Sequence, residues 1–121
     1  MIDLMRNTIK NHLDFKTDRE FPGAVTDFFS IRTKLAKFPD DPRYGLVVSK
    51  RIFCYAVKRN RVKRLLRDWI AFASEYMCPD LDYVFFARAD ILGENVTREV
   101  GRSAMVSALK KIKKQNDKRK Q

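Results

Sequence analysis

The sequence predicts an α+β fold, an α–β sandwich of a single domain over residues 1–121. The length of 121 residues is near the commonest domain size, and the hydrophobic fraction of 45% is enough to build a core. Apolar residues recur at helical spacing in some segments and alternate as in strands in others. The segments follow the order αβββαβα, with three helices and about four strands in a mainly antiparallel sheet.

The N-terminal part is predicted to contain a short helix followed by strands. Loosely helical spacing of apolar residues predicts a helix over Leu4–Phe15. The turn signal of Phe21–Gly23 precedes a predicted strand over Val25–Thr33, and there is room for a further short strand before it. Alternation within the strand assigns Val25, Phe29 and Ile31 to the core.

The next segment predicts a hairpin and a second strand. Phe38–Pro42 contains two prolines and two aspartates, which is typical of a tight connection. It leads into Tyr44–Lys50, a strand expected to run antiparallel to the first one.

The C-terminal half is predicted to be a long helix, a buried strand and a final helix. The apolar stripe of Ala56–Met77 has steps of three and four residues, and Pro79 ends it. Tyr83–Ala87 has the composition of a buried strand. The last helix is predicted over about 96–114, and the charged residues 115–121 are expected to form a frayed tail.

The positive charge is concentrated in two short blocks. The net charge is +11, and residues 50–67 hold 8 basic and 0 acidic side chains. Residues 110–121 hold 7 basic side chains and 1 acidic one. Charge concentrated in this way is typical of a protein that binds a polyanion, although a solvated basic face is the alternative. The Lys110–Lys120 block either adds electrostatic affinity or is a solvated tail.

Several classes of protein are disfavoured by composition. No apolar run approaches the ~20 residues that a membrane-spanning helix needs, and the N-terminus lacks the apolar centre of a signal peptide. The chain has 2 cysteines and 1 histidine, so neither a disulfide scaffold nor a multi-histidine metal site is expected. A reducing cytoplasm is the expected compartment. The carboxylates form no paired catalytic motif.

The start of the long helix is the segment that carries chemistry. At about 100° per residue, Asn60 and four cations of Lys58–Arg67 lie opposite the apolar stripe. Lys58 and Arg59 fall near its edge and must extend past the helix end or lie against the sheet. Unpaired N–H groups at a helix N-terminus suit phosphate, and guanidinium groups bind two phosphate oxygens at once. The alternative is an ordinary amphipathic helix with a basic outer face.

The literal sequence around this helix is more specific than its periodicity. The strings of Gly45–Arg51 and Ala56–Arg67, followed by Asp82–Arg88, resemble the protein subunit of bacterial ribonuclease P. The triplet Arg59–Arg61 (Arg-Asn-Arg) is the hallmark of that family. Many members have a glycine between the strand and the helix, where this chain has Ile52–Tyr55, so this loop is expected to adopt its own conformation.

The resemblance implies a fold and a function. It implies a left-handed βαβ crossover and a non-catalytic protein subunit in a ribonucleoprotein endoribonuclease. The catalyst would be the RNA subunit, which uses Mg²⁺ to remove the 5′ leader from precursor tRNA. The protein would bind no cofactor through its side chains. It would hold the leader and strengthen substrate and Mg²⁺ binding, with neither membrane nor DNA as a partner.

The resemblance also implies two sets of contact residues. The residues expected to contact the catalytic RNA are Lys50, Arg51, Lys58, Arg59, Asn60, Arg61, Lys63, Arg64 and Arg67. The leader is expected in a cleft between the sheet and the basic helix, where Phe28, Ser30 and Arg32 share a strand face and Arg88 forms the rim. The alternatives are a core position for Phe28 and a solvated strand end for Arg88.

Two other functions remain open from the sequence. One is a basic RNA-binding module of the ribosome-associated type, with no part in tRNA processing. The other is a helix-turn-helix DNA-binding protein. The latter requires a short helix and a tight turn directly before the basic helix, whereas Tyr44–Lys50 is predicted to be a strand.

Overall fold

The computed structural model describes residues 7–8, 21–38 and 43–120. The predicted helix over Leu4–Phe15 is wrong at Asn7–Thr8, which form a two-residue strand, β1. The rest of that predicted helix lies outside the described residues. The described part therefore contains two α-helices, and the predicted count of three is not confirmed.

The elements form one five-stranded sheet with two helices. The further strands are β2 (Gly23–Val25), β3 (Phe29–Leu35), β4 (Arg43–Val47) and β5 (Leu81–Ala87), and the helices are α1 (Ala56–Ala73) and α2 (Arg98–Arg119). The strand order is β1-β4-β5-β3-β2. β2 and β3 pair antiparallel, as do β3 and β5, whereas β4 lies parallel to both β5 and β1. The sheet is thus mixed rather than mainly antiparallel.

The predicted hairpin between the first two long strands is wrong. β5 lies between β3 and β4, so these two strands are not neighbours. β4 and β5 are instead adjacent parallel strands joined through α1, with Tyr44 opposite Tyr83 and Leu46 opposite Phe85. The parallel pair explains the nearly continuous apolar composition of β5, because such strands are buried on both faces. The β4–α1–β5 unit is a βαβ crossover, and its left-handed sense stays a prediction.

The core lies between one face of the sheet and the two helices. Phe29 and Ile31 are fully buried, as predicted, together with Tyr83 and Phe85 of β5. The core assignment of Val25 is wrong: this residue is 65% exposed, because it ends the edge strand β2 and is not part of β3. The helices contribute a matching set of buried residues, which includes Val62, Leu66, Trp69, Met105, Leu109 and Ile112.

α1 and α2 approach each other closely at Trp69. A Cβ atom added at Gly101 would lie 2.0 Å from the Trp69 ring, so only glycine fits there without displacing the indole. This contact fixes the positions of the two helices relative to each other.

The prediction for the ends of α1 is confirmed at one end and wrong at the other. α1 begins at Ala56, as the periodicity predicts. The α-helix ends at Ala73, before the expected Met77, and continues as a 3₁₀ turn over Ser74–Tyr76.

α2 extends beyond the predicted end, and the frayed tail is contradicted. The hydroxyl oxygen of Thr97 accepts a hydrogen bond from the Val100 amide at the N-terminus, and the helix continues to Arg119. Asn116 is buried, and its amide nitrogen lies 3.3 Å from a carboxylate oxygen of Asp80. Lys120 forms an ion pair of 3.0 Å with the same carboxylate. The last turn is therefore held by a carboxylate from the turn before β5.

Candidate nucleic-acid interface

The N-terminal half of α1 separates apolar and basic side chains on opposite faces, as its periodicity predicts. Val62, Leu66 and Trp69 are buried against the sheet. Of the residues expected to contact RNA, those exposed to solvent are Lys50, Arg51, Lys58, Asn60, Arg61, Arg64 and Arg67, and the half-buried ones are Arg59 and Lys63. We call this set of nine residues the α1 basic surface.

Arg59 differs from the rest of the α1 basic surface because it binds its own chain. Its Nη1 atom donates hydrogen bonds to the carbonyl oxygens of Phe53 and Cys54, each at 2.9 Å. The side chain thus folds back past the start of the helix and closes the preceding loop. Arg59 shapes this surface in addition to its predicted contact with RNA.

The loop before α1 has a defined conformation of its own. Phe53 is buried, and its amide donates to the Ser49 carbonyl oxygen at 2.9 Å. The Arg51 amide donates to the Ser49 hydroxyl at 3.1 Å. With the two bonds from Arg59, these contacts hold the loop at both ends.

The N-terminus of α1 is strongly positive. Its N-cap residue, Tyr55, provides no side-chain hydrogen bond, and the first turn holds no acidic residue. The partial positive charge of the helix end therefore adds to the nearby cations. Among the described residues, the ion pairs of Asp68, Asp80 and Asp82 all involve arginines or lysines outside residues 50–67. An anion that binds the α1 basic surface displaces none of these pairs.

The four predicted leader-binding residues do not share one face. Phe28 lies in the turn before β3, and its ring packs edge-on against Trp69 with centroids 6.4 Å apart. Ser30 and Arg32 lie within β3, half-buried and exposed respectively. Arg88 is exposed at the end of β5, and its amide donates to the Phe28 carbonyl oxygen. The expectation that Phe28 shares a strand face with Ser30 and Arg32 is wrong, because β3 begins one residue later.

Arg32 borders a cleft on the α2 side of the sheet. The cleft has a volume of about 350 Å³ and is lined by residues of β2, β3 and α2, among them Phe21, Arg32, Lys111 and Gln115. The amide of Gly23 donates to the Gln115 side-chain oxygen at 3.3 Å, which ties β2 to α2. This cleft therefore lies beside α2 rather than between the sheet and the basic helix, and the position of the leader stays a prediction. We call this cavity the β2–α2 cleft.

Phe21, Lys111 and Gln115 were not among the residues predicted from the sequence. The Arg119 guanidinium lies 4.5 Å from the Phe21 ring centroid, so the C-terminal turn of α2 covers this aromatic side chain. The basic composition of residues 110–121 was a signal for Lys111, but its proximity to Arg32 depends on the docking of α2.

A second cleft of similar volume lies at the contact between the helices, beside Arg64. It measures about 340 Å³ and is also lined by Asp68, Trp69 and Arg98. Arg102 holds Asp68 through two hydrogen bonds of 2.9 and 3.1 Å. These bonds lower the pKa of the Asp68 carboxyl, so it stays ionised and paired with Arg102. Asp68 is thereby partly neutralised beside the α1 basic surface.

The described residues show no cluster of three or more side chains able to hold a metal ion. Within the same part of the chain, neither helix is long and apolar enough to cross a membrane.

Comparison with known proteins identifies the family of the chain. The model of the family described as Ribonuclease P matches residues 5–113, which include the α1 basic surface and every lining residue of the β2–α2 cleft except Gln115. The chain belongs to the Ribonuclease P family.

Curated relatives in this family match the central part of the chain. The ribonuclease P protein component of Pseudomonas entomophila is 47% identical over 55 residues, which cover 46% of this chain and 40% of the relative. That of Xanthomonas oryzae is 45% identical over 51 residues, which cover 40% of this chain and 32% of the relative. The chain thus matches less than half the length of either relative.

Solved structures of ribonuclease P proteins share the fold over most of the chain. The Staphylococcus aureus protein is 25% identical with a TM-score of 0.68, over 85% of this chain and 92% of that chain. The Thermotoga maritima protein is 22% identical with a TM-score of 0.62, over 73% of this chain and 80% of that chain. The mixed sheet and the helices packed on it therefore form a fold that this chain shares with these proteins.

Proposed function

We propose that the chain is the RNA-binding, non-catalytic protein subunit of ribonuclease P in the bacterial cytoplasm. The observation that carries the proposal is the α1 basic surface, whose cations are not paired with carboxylates among the described residues. This surface lies in the segment matched by the family model. Its cations contact phosphates of the catalytic RNA, and the positive end of α1 strengthens that binding.

The β2–α2 cleft is where the 5′ leader of precursor tRNA binds. It offers the cations Arg32 and Lys111, a polar amide of Gln115 and the ring of Phe21, with no acidic residue in its lining. Single-stranded RNA is held by this combination of backbone charge and aromatic contact. Ser30 on β3, Phe28 before it and Arg88 after β5 stay predicted leader contacts.

The protein assists catalysis and does not perform it. Mg²⁺ acts with the RNA subunit, and the protein strengthens metal and substrate binding by neutralising phosphates and positioning the leader. The β2–α2 cleft offers cations where a hydrolytic site would need a paired acid and base or a metal.

Cleavage of precursor tRNA by the reconstituted particle tests this proposal. With its cognate RNA, the protein is expected to raise cleavage at low Mg²⁺ and to have a smaller effect at high Mg²⁺. The protein alone is expected to cleave nothing. Cleavage that survives complete removal of RNA would contradict the non-catalytic role. The absence of any effect on the RNA enzyme would favour a basic RNA-binding module outside tRNA processing.

The position of the leader is tested with the double variant Arg32→Ala/Lys111→Ala. It is expected to lose much of the preference for precursor over mature tRNA while it still assembles with the catalytic RNA. The matched control is Lys113→Ala/Lys114→Ala, which removes two exposed charges of α2 outside the cleft lining. Equal effects of the two double variants would exclude the β2–α2 cleft as the leader site.

A further inference from the structure

Large apolar side chains are exposed in the middle of the α1 basic surface. Ile52 is 47% exposed, Tyr55 69% and Val57 79%, all within six residues of the chain. Single exposed apolar residues are common, but three across one short loop and the first turn of the following helix need an explanation.

This exposure does not come from a loosely held loop. Phe53 is buried between Ile52 and Tyr55, and the guanidinium of Arg59 binds the carbonyl oxygens of Phe53 and Cys54. Tyr55 itself has extended backbone angles as the N-cap of α1, and the Arg59 amide donates to its carbonyl oxygen at 3.1 Å. The tyrosine ring is therefore presented to solvent from a backbone that is fixed on both sides.

The charges around Tyr55 favour a nucleic acid as the partner. The Lys58 ammonium lies 5.8 Å from the centroid of the Tyr55 ring, and Lys50 and Arg51 are exposed in the same loop. An apolar patch that binds another protein is usually depleted of charge at its centre, whereas this one has cations on both sides in the sequence and no carboxylate over residues 50–67. Unpaired bases of RNA stack on aromatic side chains while nearby cations bind the phosphates.

We propose that Tyr55 is a stacking platform for an unpaired base of the RNA that binds the α1 basic surface. Ile52 and Val57 extend the apolar contact to the edge of that base. This inference rests on the proposed function and adds to it a contact that requires an unpaired base and that duplex RNA cannot make. Stacking is tolerant of base identity because every base has a flat aromatic face.

Substitution of Tyr55 tests the inference because the side chain is mostly exposed and its removal leaves the core intact. Tyr55→Ala is expected to weaken binding of the catalytic RNA about 10-fold, within the range measured for loss of one stacked base. Tyr55→Phe is expected to retain the affinity, and Tyr55→Leu to lose most of it because the aromatic face is missing. The control is Phe72→Ala, which removes a 52% exposed aromatic ring near the other end of α1.

The salt dependence of RNA binding distinguishes a loss of stacking at Tyr55 from a loss of contacts between nearby cations and phosphates. Removal of Tyr55 is expected to leave the slope of log affinity against log salt unchanged, whereas Lys58→Ala is expected to reduce it by about one phosphate contact. If Tyr55→Ala bound the catalytic RNA with the affinity of the wild type, the stacking role would be overturned and the proposed function would stand. Failure of the wild-type protein to bind the catalytic RNA would overturn the proposed function as well. A changed salt slope in Tyr55→Ala would also overturn the stacking role.

Discussion

The two basic blocks of this chain have similar compositions but different surroundings in the fold. Residues 50–67 lie at the start of α1 and have no ion pair with the described carboxylates. In the block of residues 110–121, by contrast, Lys120 pairs with Asp80 and the Arg119 guanidinium lies over the Phe21 ring. Lys110 lies 4.9 Å from the centroid of Tyr76. Part of the second block therefore serves to dock α2.

The difference shows that local charge density is an incomplete guide to function. A cation that is paired within the fold must break that contact before it binds a phosphate, whereas an unpaired one gains the full interaction. We therefore expect substitutions in the first block to affect RNA binding and substitutions at the docking residues of the second to affect stability.

The largest expected effect is the loss of RNA affinity when three arginines of the first block are removed. Arg61→Ala/Arg64→Ala/Arg67→Ala is expected to weaken binding of the catalytic RNA by at least about 100-fold, since hydrogen bonds to charged groups contribute about 1.5–3 kcal/mol each. The three side chains are exposed, so the melting temperature is expected to change little. The matched control is Lys113→Ala/Lys114→Ala/Lys118→Ala. If it weakened binding as much, the distinction between the blocks would be wrong.

Arg59→Ala is expected to lower both stability and RNA affinity, because this side chain holds the loop before α1 and is also part of the α1 basic surface. Loss of its two bonds to the loop carbonyl oxygens is expected to cost about 1–3 kcal/mol in the free energy of unfolding, measured by urea denaturation. Arg61→Ala is the control, since its exposed side chain has no such partner among the described residues. Equal stability of the two variants would show that Arg59 does not hold the loop in solution.

Asp80→Ala is expected to lower stability and to leave RNA affinity nearly unchanged. It removes the partner of the buried Asn116 amide and of Lys120, and we expect a loss of about 1–2 kcal/mol in the free energy of unfolding. RNA affinity per folded molecule is expected to stay within about threefold of the wild type, because Asp80 is not part of the α1 basic surface. Such a change is well under the 1.4 kcal/mol of a tenfold loss. Full helix content and stability in this variant would mean that the C-terminal turn is not held by Asp80.

The smallest expected effect is a pH dependence of stability that arises from Asp68 and Asp80, which lie outside both basic blocks. Hydrogen bonding and charge from Arg102 lower the pKa of Asp68. Burial opposes ionisation of Asp80, but hydrogen bonds from Lys120, its own backbone and Asn116 outweigh it and lower that pKa as well. A lowered carboxyl pKa contributes stability that is present above the unfolded value, about 3.9, and is lost as the pH falls through the folded value.

The stability difference between wild type and Asp68→Asn measures this contribution. It is expected to be a few tenths of a kcal/mol near pH 6, because the pair is partly exposed, and to disappear as the pH falls through the lowered folded pKa of Asp68. A difference that stays constant with pH would mean that the substitution acts through packing rather than through the Asp68–Arg102 ion pair.

The parts of this fold that depend on local sequence were predictable, and those that depend on long-range pairing were not. The start of α1 at Ala56 and the burial of Phe29 and Ile31 follow from periodicity alone. The position of β5 between β3 and β4 does not, because a hairpin and a crossover both fit the same order of elements. The apolar composition of β5 indicates a buried strand, but it does not specify which strands lie on either side of it.

The candidate site was predictable to a similar extent. The faces of α1 and the Arg59–Arg61 triplet identified the α1 basic surface from the sequence. The β2–α2 cleft was missed because Arg32 and Lys111 are brought together only when α2 packs beside β2. The docked C-terminal turn was missed because its charged composition resembles that of a solvated tail, and its partner Asp80 is 36 residues away from Asn116.

Lysine footprinting on the wild-type protein tests the central claim most directly, because it compares both blocks in one molecule. The reactivity of each lysine with an acylating reagent is measured with and without the catalytic RNA, in the absence of precursor tRNA. We predict that Lys50, Lys58 and Lys63 become protected, while Lys113, Lys114 and Lys118 keep their reactivity. Protection of the α2 lysines with unchanged reactivity of the α1 lysines would contradict the assignment of the RNA interface to the start of α1.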